Sequence, residues 1–473
     1  MKRRKPTLTL TLLAAAILLL VALAPAASAK DRVYFSNAGP LAFMSLDGTG
    51  PGSYVELVDP DGYSPPFTGG LALDPAANKF YVTESAPGPG LGGILVGELA
   101  DLADARAVVT HLPTGGATVA SPFGAALDPP ANRIYWANLA GTISYANLDG
   151  SGGGDLNTSG ATVDQPFGVA LDPTADRIYW GNYNGDTISY ANLDGSGGGD
   201  LNTGGATVDG PTGVAIAPAK NRIYWANVRY FGTELDGTPG TISYANLDGT
   251  GGGDDLDTTG ATVVGPRGLA LDPAENRIYW ANPGKGTIAF ANLDGTGDGG
   301  ELEIAGFPGG LFPVFPALLK EPSATERPEI SEGNGQSGAA ASAKGVVGRR
   351  LSCSEGRWSE DLLGGFSYRA PHSFAYRWLQ DGAKIPGATG KSFTPKKTGS
   401  HRCRVTASNE AGSSSQKSHG VEVASPSACK KAKKKLKKAK KKLKKAKKSG
   451  NAKKLKKAKK KVKKAKKGKK KAC

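Results

Sequence analysis

Histidine and cysteine, frequent carriers of nucleophilic and metal chemistry, are few: the 473 residues include only four of each. That supply argues against a His-rich metal centre or a repeated catalytic triad, and no catalytic residue, metal ligand or cofactor is expected. His111 stands alone in a connecting segment and reads as a solvated loop residue. Asp74, Asp128, Asp172 and Asp272 recur in Leu-Asp-Pro and could be taken for a carboxylate ring, yet Asp-Pro at a strand end is ordinary turn chemistry. Gly152-Gly-Gly-Asp155 and Gly197-Gly-Gly-Asp200 faintly resemble calcium-binding nonapeptides, but those need tandem copies about nine residues apart, so flexible turns are expected here.

The abundant chemistry is cationic. From Cys429 to Cys473 there are 28 lysines and no acidic residue, and residues 1–29 add four more positive charges, so positions 30–428 carry −15 within a total of +17. An acidic body with a basic tail attracts polyanions through the tail alone. The lysines expected to make such contacts are Lys430, Lys431, Lys434, Lys438, Lys441, Lys445, Lys453, Lys457, Lys460 and Lys464. Nucleic acid would be held nonspecifically, because the tail has no aromatic or arginine side chain for base contact.

At the N-terminus, Lys2-Arg-Arg-Lys5 precedes an apolar stretch from Leu8 to Leu23 and then Ala27-Ser-Ala29. This is the pattern of a secretory signal peptide over residues 1–29, an uncleaved anchor being the alternative. The expected location is extracellular or at the cell surface, where disulfides persist.

The remaining chain repeats itself every 45 residues or so. Phe123-Gly-Ala-Ala-Leu-Asp-Pro, Phe167-Gly-Val-Ala-Leu-Asp-Pro, Thr212-Gly-Val-Ala-Ile-Ala-Pro and Arg267-Gly-Leu-Ala-Leu-Asp-Pro each precede an Ile-Tyr-Trp triplet at Ile134, Ile178, Ile223 and Ile278. A Thr-Ile-Ser-Tyr or Thr-Ile-Ala-Phe segment and Ala-Asn-Leu-Asp-Gly follow, and two degenerate copies stand upstream around Tyr34 and Tyr81. The Gly-x-Ala-Leu run is apolar on both faces, as a strand covered on both sides must be. Ile-Tyr-Trp sends Tyr to one face and Ile and Trp to the other, Pro-x-x-Asn/Asp-Arg and Asp-Gly supply turns, and a Gly-rich fourth strand near Asp155 suits an exposed edge. Six copies of four strands imply an all-β, six-bladed β-propeller over residues 30–318.

These motifs resemble the low-density-lipoprotein-receptor class B (Tyr-Trp-Thr-Asp) repeat, which implies a six-bladed propeller that binds protein ligands. The motif residues are Tyr135, Trp136 and Asn138; Tyr179, Trp180 and Asn182; Tyr224, Trp225 and Asn227; and Tyr279, Trp280 and Asn282. Asn stands where the family carries Asp, which removes any ligand chemistry that depends on that carboxylate. Six-bladed propellers also include lactonases and other hydrolases with Glu, Asn and Asp around a channel metal, and such an enzyme is the second reading; a structural wall component without a ligand is the third. The first copy lacks its inner strand, and residues 310–315 are expected to supply it and close the ring. The insertion from Arg229 to Pro239 is a candidate binding loop or a neutral one.

Residues 319–344 read as a linker. Beyond it, Cys353, Tyr376-Arg-Trp378, Asp381-Gly and Arg402-Cys403 resemble a bacterial immunoglobulin-like domain over 345–424, which implies a Cys353–Cys403 bridge packed on Trp378. The long Cys353–Trp378 interval implies an inserted loop around Trp358, and His401 occupies the usual tyrosine-corner position. In residues 425–473, Ala432, Leu436, Ala439, Leu443 and Ala446 form a heptad seam, repeated after Ser449-Gly-Asn451 by Ala452, Leu455, Ala458, Val462 and Ala465. Two antiparallel helices are expected, with Cys429 and Cys473 at one end where a disulfide could staple them. The whole suggests a secreted, non-enzymatic and monomeric binding protein: a propeller for a protein or glycan ligand, and a tail for anionic envelope polymers or a membrane surface.

Overall fold

The computed structural model describes residues 31–37, 39–49, 52–85, 92–228, 239–303, 313–332, 344–449 and 451–472. The expected signal peptide, the insertion at 229–238 and Cys473 lie outside the described residues.

Six four-stranded antiparallel sheets form the ring. Blade four shows the pattern: an inner strand Pro166–Asp172, then Arg177–Asn182, Thr187–Asn192 and a short outer strand Gly198–Asp200. The outer strands in this and the third blade begin within the Gly-Gly-Asp segments, so those glycines are edge strand and not merely flexible turn. Between the first two strands the turn residue adopts a left-handed conformation, with φ of 58° at Asn132, 55° at Asp176, 51° at Asn221 and 56° at Asn276. Asn and Asp tolerate this region best after Gly, which is why the motif reads Pro-x-x-Asn/Asp. Trp136, Trp180, Trp225 and Trp280 are fully buried between blades.

The inner strands of blades two to six bulge at the motif glycine, as the register slip between Pro166 and Val169 shows. The bulges bring successive backbones into contact around the axis. A Cβ on Gly124 would stand 2.6 Å from the Cα of Gly168, and one on Gly213 would stand 2.4 Å from the Cα of Gly268. At the seam, Gly268 abuts the Cα of Phe315.

That seam closes the ring. Pro313–Leu319 pairs antiparallel with Arg32–Asn37, joining Leu319 to Arg32 and Pro313 to Asn37. The closing strand therefore lies three to four residues beyond the expected 310–315. Blades one and two are joined further at their rims, where Ser53–Val58 pairs in parallel with Arg106–His111. His111 accordingly ends a strand, and is not a loop residue.

A β-sandwich of two sheets follows. Ile330–Glu332, Leu351–Cys353 and Ser392–Phe393 form one sheet; Gly399–Asn409 pairs in the other with Ser373–Gln380, Gly412–Lys417 and Val421–Ala424. The Cys353–Cys403 disulfide links the two sheets beside fully buried Trp378. The expected linker is in part a component of this domain, because Ala324–Glu326 pairs with Arg357–Trp358 and Ile330–Glu332 with Leu351–Cys353. Backbone pairing of such short polar strands leaves no apolar period in the sequence. The chain ends in two helices, α1 (Pro426–Lys448) and α2 (Ala452–Ala472), packed side by side.

If backbone contact at the axis sets the ring, a single methyl there is disruptive. Gly213→Ala is expected to cost about 1–3 kcal/mol or more through overpacking, read as a lowered midpoint of thermal or urea unfolding. Gly152→Ala, at a propeller glycine without positive φ whose added Cβ meets only the Asn147 side chain at 3.8 Å, is the control and should change the midpoint little.

Candidate functional site

The motif residues hold the blades together. In blade four, Trp180 Nε1 donates to Asn182 Oδ1 (3.0 Å) and to the Thr162 carbonyl (2.9 Å). Asn182 Nδ2 donates to Thr187 Oγ1 (2.9 Å) and Ser189 Oγ (2.8 Å), and Ser189 then donates to Asp200 Oδ1 (2.6 Å). Burial alone would raise the Asp200 carboxyl, but hydrogen bonds from Ser189 and from the Thr162 amide and hydroxyl outweigh it and hold it below the usual aspartate range. The same chain runs from Asn138 through Ser144 to Asp155 and from Asn227 through Ser243 to Asp255.

This explains the departure from Asp at the fourth motif position. The serine hydroxyl has one proton, which it gives to the outer aspartate, so its other neighbour must donate; an amide does so and a carboxylate does not. Blade six lacks the serine, having Ala289. There Lys285 bridges Thr262 Oγ1 (2.8 Å) and Glu301 (3.3 Å) instead. The motif tyrosines are buried as well: burial pushes the Tyr224 and Tyr279 hydroxyls up to about 12, and Tyr224 donates to the Leu293 carbonyl of the next blade (3.4 Å). None of the twelve motif residues is offered to a ligand.

Glu84 holds the equivalent place in blade two and is buried. It accepts from Tyr63 (3.2 Å) and pairs with His111 Nε2 (3.1 Å). Tyr63 and Phe67 are themselves about half exposed, in the segment that enters the inner strand Thr68–Asp74. The Leu-Asp-Pro carboxylates are turn acceptors, Asp172 for Thr174 and Ala175 and Asp128 for Ala131. Among the described residues no group of three or more His, Cys, Asp or Glu is placed to hold a metal.

Both mouths of the central channel are occupied. Where the inner strands begin, Phe123, Phe167 and Phe315 cluster, with ring centres 4.4 Å apart for the first pair and 5.8 Å for Phe167 and Phe315. Where they end, the long interval after Cys353 enters the ring. A 3-10 turn at Leu363–Gly365 lies against the inner strands of blades three to six, so close that a Cβ on Gly364 would stand 2.3 Å from the Leu171 carbonyl oxygen. Ser367 and Tyr368 then pair in parallel with Leu318 and Leu319 of the closing strand. Tyr368 is buried, its hydroxyl bonded to the backbone of Leu73. Sequence reading located this loop but not its destination.

Charged groups seal the contact. Lys320 reaches Asp272 and Asp31, and Arg369 also reaches Asp272 (3.4 Å). Asn409 Nδ2 donates to the Lys320 carbonyl (2.8 Å) and the Ser413 amide to Glu321 (2.8 Å), while His372 meets Glu410 (2.9 Å) within the sandwich itself. Asp361 accepts the Arg369 and Ala370 amides at one oxygen, 2.6 and 2.7 Å away. Burial nevertheless pushes its carboxyl up to about 6, with the Asp74 and Glu360 charges acting in the same direction.

In the tail, Ala458 and Val462 of the expected seam are buried and Ala432, Leu436, Ala439, Leu443, Ala446, Leu455 and Ala465 half-buried, with the lysines beside them exposed; Ala452, at the first turn of α2, is exposed and does not join it. Two consecutive clefts run between the helices, of about 550 and 360 Å³. Of the ten lysines singled out in sequence, Lys431, Lys445, Lys457 and Lys464 line these clefts, and Lys435, Lys442, Lys454 and Lys461, which were not, do so too. A wheel drawn from the seam separates these positions, whereas spacing alone does not. Cys429 lies in the first turns of α1, and its proposed partner Cys473 is outside the described residues. No helix among the described residues is long and apolar enough to cross a membrane.

No family model and no curated protein matches the chain. Among solved structures it is similar to a chain of a nidogen/laminin complex, with 18% identity and a TM-score of 0.41 over 56% of this chain and 90% of that one. It is also similar to a functionally unknown protein from Desulfotomaculum acetoxidans (13% identity, TM-score 0.39, 61% of this chain and 98% of that one). A protein from Lactobacillus plantarum shows 17% identity and a TM-score of 0.38, over 56% of this chain and 80% of that one.

Two outcomes are expected. Asn182→Asp should destabilise the ring by roughly 1–3 kcal/mol, because it sets an acceptor against Ser189 and Thr187; chemical denaturation reads this. Asp361 has a raised carboxyl, so the docked state carries its full penalty above about pH 6 and sheds it as pH falls toward the unfolded value. Asp361→Asn keeps the acceptor oxygen and removes the charge. It should stabilise the folded state at pH 8, by roughly 3 kcal/mol at most, and flatten the rise that the parent shows between pH 8 and 5.

Proposed function

We propose that the protein is an exported, non-enzymatic binding protein whose propeller meets a protein or glycan partner and whose lysine hairpin holds it on an anionic envelope polymer. The observation that carries this reading is the pair of helices whose whole outer surface is lysine, following an acidic body. Twenty-eight uncompensated charges bind polyanions with steep salt dependence, since each phosphate contact releases counterions. The disulfide in the sandwich supports an oxidising compartment. The class B repeat resemblance supports a partner on the propeller, and the face at which the inner strands begin is the one the sandwich leaves uncovered. Tyr63 and Phe67 lie on it, and the insertion after Asn227 starts from it.

A channel hydrolase is the other reading. It would need carboxylates and amides converging on a metal, whereas the axial positions here are glycines in mutual contact and one mouth is filled by Leu363–Gly365.

The test compares the full chain with one ending at residue 424. The full chain should be retained on an anionic polymer at low salt and released as salt rises, with a gain in helical circular dichroism on binding; the shortened chain should do neither. Retention that is equal for both, or indifferent to salt, overturns the anchor.

A further inference from the structure

We propose that the anionic partner of the tail is a linear phosphodiester polymer lying lengthwise in the cleft between α1 and α2, on the one face lined by Lys431, Lys435, Lys442, Lys457, Lys461 and Lys464. This deepens the anchor reading above and rests on it. Three features of the hairpin select this partner over a flat anionic surface.

The first is shape. The two clefts share Lys461, and helical periodicity places both on the same face, so they form one trough. Its floor is Ala432, Ala439, Ala446, Ala458, Ala465 and Gly468, small residues that let a chain settle between the lysine rows. From Lys431 to Lys445 the trough runs about 20 Å at 1.5 Å per residue. A headgroup on a flat bilayer would meet the crests of the lysines and leave this floor empty.

The second is charge spacing. The cleft lysines of α2, Lys454, Lys457, Lys461 and Lys464, recur every three or four residues, or roughly 5 Å, while those of α1, Lys431, Lys435, Lys442 and Lys445, run the other way with a gap of about 10 Å between Lys435 and Lys442. Neighbouring phosphates in a phosphodiester chain are separated by roughly six backbone bonds, or about 6–7 Å when extended. Phosphates in the trough therefore meet α2 lysines at close to their own spacing, and α1 lysines from the other side except across that gap. A denser polyanion leaves part of its charge unmatched, and a sparser one leaves lysines facing each other.

The third is energetic. Like charges three and four residues apart destabilise each helix, and the seam that opposes this is half-exposed alanine and leucine. A polymer between the rows neutralises charges on both helices at once, so binding and hairpin closure reinforce each other. Charge neutralised on the outer surfaces relieves one helix only.

The test uses the full chain with synthetic poly(glycerol phosphate) of defined length, and anionic phospholipid vesicles as the second probe. One variant carries Lys→Gln at the six groove positions; its counterpart carries Lys→Gln at Lys433, Lys437, Lys440, Lys444, Lys459 and Lys463 on the opposite face. The groove variant should lose tenfold or more in affinity for the polymer, with the log–log salt slope reduced by about four, at roughly 0.7 per lost contact. The counterpart should lose less than threefold, and the two variants should bind vesicles alike. Equal losses for the polymer overturn the groove while leaving the anchor standing. A parent chain with no salt-sensitive binding to either probe overturns both.

Discussion

Contact between backbones at the axis is the constraint on which the rest of the ring depends. Gly124, Gly168, Gly213 and Gly268 sit in bulges where the next strand comes closer than any Cβ allows. The bulge fixes where each inner strand starts relative to the second, and hence which face Trp and Tyr present to neighbouring sheets. Phe315 takes the corresponding place on the closing strand, next to Gly268. Its ring turns into the mouth, where it stacks on Phe167. A channel this narrow keeps little free volume at its axis.

The sandwich is not a bead on a string. Lys320 follows directly on the closing strand and is buried against Asp272 of blade six, while Tyr368 extends the sheet of blade one. A buried ion cluster of this kind contributes little net stability, because its attraction is offset by desolvation. Its removal from one side leaves an unpaired charge, so loosening either domain is felt by the other. The asymmetry between the mouths follows: one is sealed by aromatic side chains from the ring itself, the other by a segment borrowed from the neighbouring domain.

The repeat made much of this legible. Gly-x-Ala-Leu-Asp-Pro and Ile-Tyr-Trp-x-Asn specify strands, turns and blade number because each demands a backbone shape or a period. The Cys353–Trp378–Cys403 order did the same for the sandwich. The Leu363–Gly365 plug was not legible, since its fit depends on the Leu171 carbonyl and Ile216, residues far away in sequence. His111 was placed in a connection because Arg106–His111 alternates imperfectly and pairs by backbone at a rim. The tail lysines were found as a population, but composition cannot tell the trough from the outer surface; only the orientation of each residue relative to the Ala/Leu seam does.

The ring also closes late. Arg32–Asn37 emerges first from any vectorial synthesis or export, yet its partner Pro313–Leu319 follows almost all of the remaining propeller. Until then the leading strand keeps one edge open, and an unpaired edge is a template for association with other chains. Such a contact of extreme sequence separation is slow to form. A nascent chain still lacking its last propeller strand would thus be a sticky intermediate, whose ring cannot close until the start of its own C-terminal third is available.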